Sequence, residues 1–359
     1  MSRLLVVSAS MGSGHDAVAT ELARRLGVAG HEAVHTDVLE LLPARIGAGL
    51  RGFYHATIRH APLLYAGIYA AFFRGGAGPQ PGSAPLVALA EDRLRQQVAD
   101  SHADAVVPVF HLAAQLTGRM RARGRLTVPS AVVITDFAVH RQWLHRGNDL
   151  NLCLTAQIAR NVRHRLGRPA LACGPLLPDR FRPQPPGEAY WRQRLTADDG
   201  RRPVLMSAGA WGVGSRLDAT ARLLVGAGYL PVVLCGRNER MRRLLSKMPG
   251  TLAMGWVDDM PGLMAACVAL VDNAAGQTAL EALAVGVPVV GYRPIPGHGA
   301  EGARRMAALG LTEYAADSWR LVQCLDDLAS GGPVPGRRAV ADRCLFQGDA
   351  VGPLERLCT

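Results

Sequence analysis

Short apolar runs alternate along this chain with longer stretches whose apolar residues recur every three to four positions. That alternation is the mark of repeated βαβ units around a parallel sheet. In the first half it predicts strands over 4–8, 33–37, 105–108, 131–135 and 151–154, and helices over 17–29, 85–101 and 157–166. A second series opens at 204–207 and continues with strands over 231–235, 251–255, 269–272 and 287–292. Its helices fit 215–227, 239–246, 260–266 and 278–284.

Between the two series lie Gly174-Pro175-Leu176-Leu177-Pro178 and Pro183-Gln184-Pro185-Pro186, dense in residues that punctuate regular structure. The expectation is a first domain over 1–175, a linker over 176–200 and a second domain over 201–335. Residues 336–359 remain as a tail that could pack back on the first domain. Two doubly wound α/β domains facing a cleft would bind ligands at the carboxyl ends of their strands.

Composition adds little to that picture except at its edges. With 359 residues, 49% hydrophobic and 19% charged, the chain suits two globular domains. Its seven cysteines are scattered, so a reducing cytosol is expected. No targeting segment and no apolar run of membrane-spanning length is read, so a cytoplasmic protein is expected. The net charge of +11 is carried by arginine, Lys247 being the single lysine. This favours anionic partners. Nucleic acid fits poorly, because no basic–aromatic RNA motif accompanies the charge.

Three loops carry candidate chemistry. The first, Ser8-Ala9-Ser10-Met11-Gly12-Ser13-Gly14-His15, follows strand one and opens a helix. Its glycines let backbone approach a ligand, and a histidine in a first helical turn is disfavoured as a cation. Position alone fits a neutral base or a histidine that merely hydrogen-bonds the loop. The second, Ser207 to Gly214, repeats that layout and could face a diphosphate through Gly209, Gly212 and Gly214. The third, Asp272-Asn273-Ala274-Ala275-Gly276-Gln277-Thr278-Ala279-Leu280-Glu281, ends a strand and starts a helix. Its amides can hold phosphate, and Glu281, one turn in, could accept both hydroxyls of a ribose. A glutamate there is also favourable with nothing bound. Pro294-Ile295-Pro296-Gly297-His298-Gly299 reads as a rigid turn at a strand exit.

Taken in order, these residues resemble the monogalactosyl- and glucosyl-diacylglycerol synthases, relatives of the peptidoglycan N-acetylglucosaminyl transferase. The resemblance rests on Gly12–His15, on Thr135-Asp136-Phe137 with His140 and Trp143, and on Gly236-Arg237-Asn238. It continues through Gly255 to Met260 and Thr278, Glu281 and Ala282. It implies the two-Rossmann GT-B glycosyltransferase fold and an inverting transfer of a hexose from a UDP-sugar to a lipid such as diacylglycerol. It implies no metal and no cofactor beyond that substrate. His15 becomes the candidate catalytic base, with Gly14, Asp136, His140 and Trp143 on the acceptor side. The nucleobase falls near Gly236, Arg237 and Val257–Met260, the phosphates at Gly209–Gly214 and over 275–278 (Gly276, Gln277 and Thr278 among them), and the ribose at Glu281. His298 stands where the family usually has a glutamine that helps hold the sugar. The sequence departs from the family pattern at Asn273–Gly276 and His298–Gly302.

Residues 53–73 hold six of the fourteen Phe and Tyr residues, with Arg51, Arg59 and Arg74 alongside. Rings beside arginines suit an anionic membrane surface, so an excursion over about 45–82 is expected to dock peripherally on the inner face of the membrane. A helix pair packed on the first sheet is the plainer reading. Other functions remain open: a soluble or polyprenyl-linked acceptor, a nucleotide-sugar epimerase, or a non-catalytic subunit that binds sugar nucleotides.

Overall fold

The computed structural model describes residues 1–73, 82–196, 200–207, 209, 216–331 and 334–358. The chain divides into two compact units, residues 1–176 with 344–359, and residues 177–343.

The first unit runs β1 (Arg3–Ser8), α1 (Ser13–Val28), β2 (Glu32–Asp37), α2 (Ala44–His60), α3 (Pro62–Phe72), α4 (Ala84–Ala88) and α5 (Glu91–Ser101). It continues with β3 (Ala105–Pro108), α6 (His111–Ala122), β4 (Ala131–Val133), β5 (Leu150–Cys153), α7 (Ala156–Leu166) and β6 (Ala170–Ala172). All pairings are parallel, in the orders β2-β1-β3 and β4-β5-β6, and a bridge from Val106 to Ser130 links the two sets. Successive side chains of a strand point to opposite faces, so β1 feeds two cores. Leu5 and Val7 pack with Val38, Leu94 and Leu116. Leu4 and Val6 pack with Leu22, Leu26, Ala350 and Leu354. A strand buried on both faces must read as a continuous apolar run, as Leu4-Leu5-Val6-Val7 does.

The second unit holds α8 (Glu188–Thr196), β7 (Arg202–Ser207), α9 (Leu217–Gly226), β8 (Tyr229–Leu234), α10 (Glu239–Leu245), β9 (Leu252–Met254) and α11 (Met260–Ala265). Then follow β10 (Ala269–Asp272), α12 (Gln277–Val285), β11 (Val289–Tyr292), α13 (His298–Ala308), β12 (Glu313–Ala315), α14 (Ser318–Ala329) and α15 (Val334–Cys344). Its parallel sheet has the order β12-β11-β10-β7-β8-β9. The order reverses beside β7 and β10, where open α/β sheets place ligands at the strand ends.

The last helix, α16 (Val351–Cys358), belongs to the first unit, with Leu354 in its core and Glu355 2.9 Å from His31. The stretch 177–196 departs from the linker expectation. Trp191 of α8 is buried and donates its indole N–H to Asp259 at 2.9 Å, so this segment is folded onto the second unit. Proline density marked the entry of that segment but not its helix. His298 also departs from the turn expectation, because it opens α13. Among the described residues, no helix is long and apolar enough to cross a membrane.

Candidate active site

In the first unit, the chain after Ser8 turns and enters α1 at Ser13, with Gly12 extended just before it and Gly14 and His15 in the first turn. His15 Nδ1 lies 3.0 Å from the carbonyl oxygen of Val109, just past β3. A carbonyl oxygen only accepts, so in the neutral ring Nδ1 carries the hydrogen and Nε2 keeps its lone pair. Burial pushes the His15 pKa below its ordinary value, while the charge of Asp136 pulls the other way. Sequence reasoning expected this lowering from the helix start; burial is its largest cause. The result is a neutral imidazole with a lone pair available at neutral pH.

Rings surround it. Phe110 meets His15 edge-on at 4.9 Å, and Trp143 lies at 6.3 Å. His111, at the start of α6, is 5.2 Å from His140 and 6.1 Å from Trp143, ring to ring. Asp136 accepts the indole N–H of Trp143 at 2.7 Å and lies 3.5 Å from His140 Nε2. The structure thus brings together His15, Asp136, His140 and Trp143, and adds Phe110 and His111, which no sequence motif had marked.

A third wall comes from the helix pair α2–α3. Tyr65, Tyr69 and Phe73 recur at intervals of four, which puts them on one helix face. Tyr69 is 1% exposed; Phe73 stacks on it at 5.2 Å and meets His140 edge-on at 4.8 Å. Tyr54 packs edge-on against Tyr65 at 5.9 Å. Burial, then the charge of Asp136, raises the Tyr54 hydroxyl to about 12, and burial also raises that of Tyr65. The last carbonyls of a helix have no partner within it. Here Arg141 and Gln142 supply one, donating to Phe72 O at 2.8 and 2.9 Å. This ties α3 to the loop that carries His140 and Trp143.

Other apolar side chains of the pair are exposed: Leu63 is 85% accessible, Leu64 54%, Phe53 52% and Phe72 37%. Tyr69 and Phe73 thus face inward, and of the aromatic residues in 53–73 Phe53 and Phe72 are the exposed ones. Composition alone does not say which face a ring takes. Arg51 is also engaged inward, donating to Asp37 at 2.9 Å. Arg74 and residues 75–81 lie outside the described residues, as does the side chain of Arg59.

The expected donor residues lie in the second unit. Gly236 has a φ of +56° at the end of β8, and β9 beside it ends at Met254 just before Gly255. The Arg237 guanidinium covers the exposed Trp256 ring at 5.2 Å. Val257 is half-buried, and Met260 opens α11, whose first turn Asp259 caps at Gly262 N, 3.1 Å. Gly209 has a φ of +66° and donates to Ser207 Oγ at 3.1 Å. Gly212 and Gly214 lie outside the described residues.

At the end of β10, buried Asp272 accepts the N–H groups of Ala274 and Ala275 at 3.1 and 2.6 Å. This narrows the phosphate expectation, because Ala275 N–H is already used. Gly276 takes the cap position of α12 with an extended backbone, and the first amides of such a helix have no intrahelical acceptor. Glu281 sits one turn further in, half-buried. Burial raises its pKa to about 7, against the pull of the Arg180 charge. An acid so placed ionises fully only when donors reach it. His298 is half-buried at the start of α13, after Gly297 with a φ of +85°.

Two Rossmann-like parallel units of this kind make up the GT-B glycosyltransferase fold. Residues 15–167 match the family model described as monogalactosyldiacylglycerol (MGDG) synthase. The chain is 26% identical over 224 residues to the processive diacylglycerol beta-glucosyltransferase of Bacillus subtilis (strain 168), covering 60% of this chain and 58% of that protein. It is 26% identical over 327 residues to the enzyme of that name from Bacillus mycoides (strain KBAB4), covering 84% of this chain and 79% of that one. The match thus spans less than two thirds of the first relative's length. The fold is shared with Acinetobacter baumannii MurG at a TM-score of 0.62, with 16% identity, covering 100% of this chain and 99% of that one.

Proposed function

We propose that the protein is an inverting glycosyltransferase that moves a hexose from a UDP-sugar to a lipid alcohol such as diacylglycerol. The observation that carries this reading is His15, neutral through burial and fixed by Val109 so that Nε2 holds the lone pair. Nε2 takes the proton of the acceptor hydroxyl as its oxygen attacks the anomeric carbon. The bond from that carbon to the diphosphate breaks on the opposite face, and UDP leaves with the bonding pair. The opening amides of α12 stabilise the departing charge, and Glu281 accepts the ribose hydroxyls. The charge of Asp136 stabilises the imidazolium that forms.

The acceptor class is supported by the match to a lipid-galactosylating synthase family over the residues that build this pocket. The exposed apolar side chains of α2–α3 support a peripheral seat on a membrane surface. Incubation with a panel of radiolabelled nucleotide sugars and a lipid extract tests the reading. Label in the organic phase from a UDP-hexose is the expected result. Label confined to aqueous products moves the acceptor to a soluble compound, and no transfer from any donor removes the transferase reading.

A further inference from the structure

We infer that Asp16 is a positioning residue for the proposed base: Ser8 holds its carboxylate beside His15, where it supplies a second counter-charge to the imidazolium. The inference rests on the proposed role of His15 and adds a group that no sequence motif had marked.

Side chains alternate along β1, so Ser8 lies on the face of Leu4 and Val6, which α1 covers. His35 pairs with Val6 in register and shares that face on the neighbouring β2. On α1, Asp16, Ala19, Leu22 and Leu26 recur at helical spacing, so Asp16 opens the stripe that packs on the sheet. There the three polar groups meet. Ser8, fully buried, donates its hydroxyl to Asp16 Oδ1 at 3.0 Å. A carboxylate only accepts, so His35 Nε2, 2.7 Å from the same Oγ, brings the hydrogen of the second bond. That bond holds whether His35 is neutral or charged, since Nε2 carries hydrogen in both forms.

The carboxylate thus sits in the same helical turn as His15. His15 reaches past one edge of β1, to the Val109 carbonyl beyond β3, while the Ser8–His35 bond holds Asp16 on the β2 side. The unpaired amides of a helix start disfavour a cation. A carboxylate among them acts against that field. Burial lowers the His15 pKa; the Asp136 charge, the Val109 bond and the Asp16 charge oppose it in that order, and His140 adds to the lowering. His111 of α6 lies one ring further out, against Phe110 at 4.1 Å.

Histidine-selective NMR can follow the His15 ring through its titration, with His15→Gln to assign its signal. The proteins compared are the wild type, Asp16→Asn, Ser8→Ala, and Asp16→Asn combined with Asp136→Asn, each checked for fold by circular dichroism. Asparagine keeps the oxygen that Ser8 donates to and removes only the charge. The His15 midpoint should fall in Asp16→Asn and fall again in the double variant, because the two charges act from separate elements. The plateau of kcat should drop about two- to fivefold in Asp16→Asn, the worth of one charge at a helix end. Ser8→Ala keeps the charge but frees it to turn to water, so the midpoint should move the same way by less. An unmoved midpoint in a folded Asp16→Asn overturns the inference and leaves Asp16 a helix-start carboxylate. Should that variant not fold, an unmoved midpoint in Ser8→Ala overturns it instead. A midpoint that falls in a protein that transfers no sugar leaves the Asp16–His15 relation standing and removes the base, so the two failures are told apart.

Discussion

The indole N–H of Trp143 points at Asp136 Oδ2, 2.7 Å away, and fixes the carboxylate whose charge acts on His15. That charge raises the His15 pKa, so Asp136→Asn should lower it further. The active form of a base is the deprotonated one. The acid limb of the kcat/KM profile should therefore lie below pH 6.5 in the wild type, and lower still in the variant. The plateau rate should fall, because the imidazolium loses its counter-charge. A pH–rate profile of both proteins decides this; an unmoved acid limb would separate Asp136 from the base.

His15 itself governs turnover and not nucleotide binding. His15→Ala should lower kcat on the order of 10²–10⁴-fold, the usual worth of a general base. UDP affinity should stay near the wild-type value. Full activity in the variant would return His15 to a loop-bracing role.

Glu281 links donor binding to pH. Its folded pKa, about 7, lies above the ordinary value of 4.5. Its contribution to stability is therefore fully present below pH 4.5 and is lost as pH rises through about 7. Glu281→Gln should match the wild type in stability near pH 4 and exceed it at pH 8, by at most about 3 kcal/mol. Ribose hydroxyls donating to the carboxylate favour its charged form, so UDP binding should release a proton and tighten as pH rises through 7. Glu281→Ala should weaken UDP binding by roughly 1.5–3 kcal/mol. Calorimetry in buffers of different ionisation enthalpy reads both effects; unchanged affinity in a folded variant would sink the ribose assignment.

The exposed and the buried side chains of α2–α3 should separate membrane binding from catalysis. Serine at Phe53, Leu63, Leu64 and Phe72 should reduce co-sedimentation with anionic vesicles and spare UDP affinity. Serine at Tyr69 and Phe73 should reduce transfer even to a short-chain, water-soluble acceptor, since these rings line the His15 pocket. Vesicle binding should fall only in part as salt rises, because screening weakens arginine–phosphate attraction and not apolar insertion. Equal vesicle binding by the wild type and the first variant would remove the membrane reading.

Divalent ions should be dispensable, because the amides opening α12 are proposed to hold the departing diphosphate. Steady-state rates after EDTA treatment should stay within about twofold of untreated enzyme, since preorganised amides need no metal to stabilise such charge. Strict loss, restored by added magnesium, would contradict this.

The alternation of apolar runs made the parallel sheets and the His15 loop legible, because strands buried on both faces leave an uninterrupted signal. Elements with weaker patterns escaped. In α6, His111 to Ala122 is rich in small residues, and α16 was read only as a tail, although its return to the first domain was expected. The stripe Tyr65, Tyr69 and Phe73 was visible as a spacing. That it turns inward depends on Arg141 and Gln142 gripping the end of α3, which no local pattern encodes.

Wild-type protein given a UDP-α-hexose and diacylglycerol in anionic vesicles should yield a glycolipid whose anomeric proton shows the β configuration by NMR. The His15→Ala variant should yield that product at a rate lower on the order of 10²-fold or more. A product that retains the α configuration would contradict single displacement. A wild-type protein that binds UDP and the vesicles yet leaves diacylglycerol unglycosylated with every UDP-hexose would contradict the acceptor assignment itself.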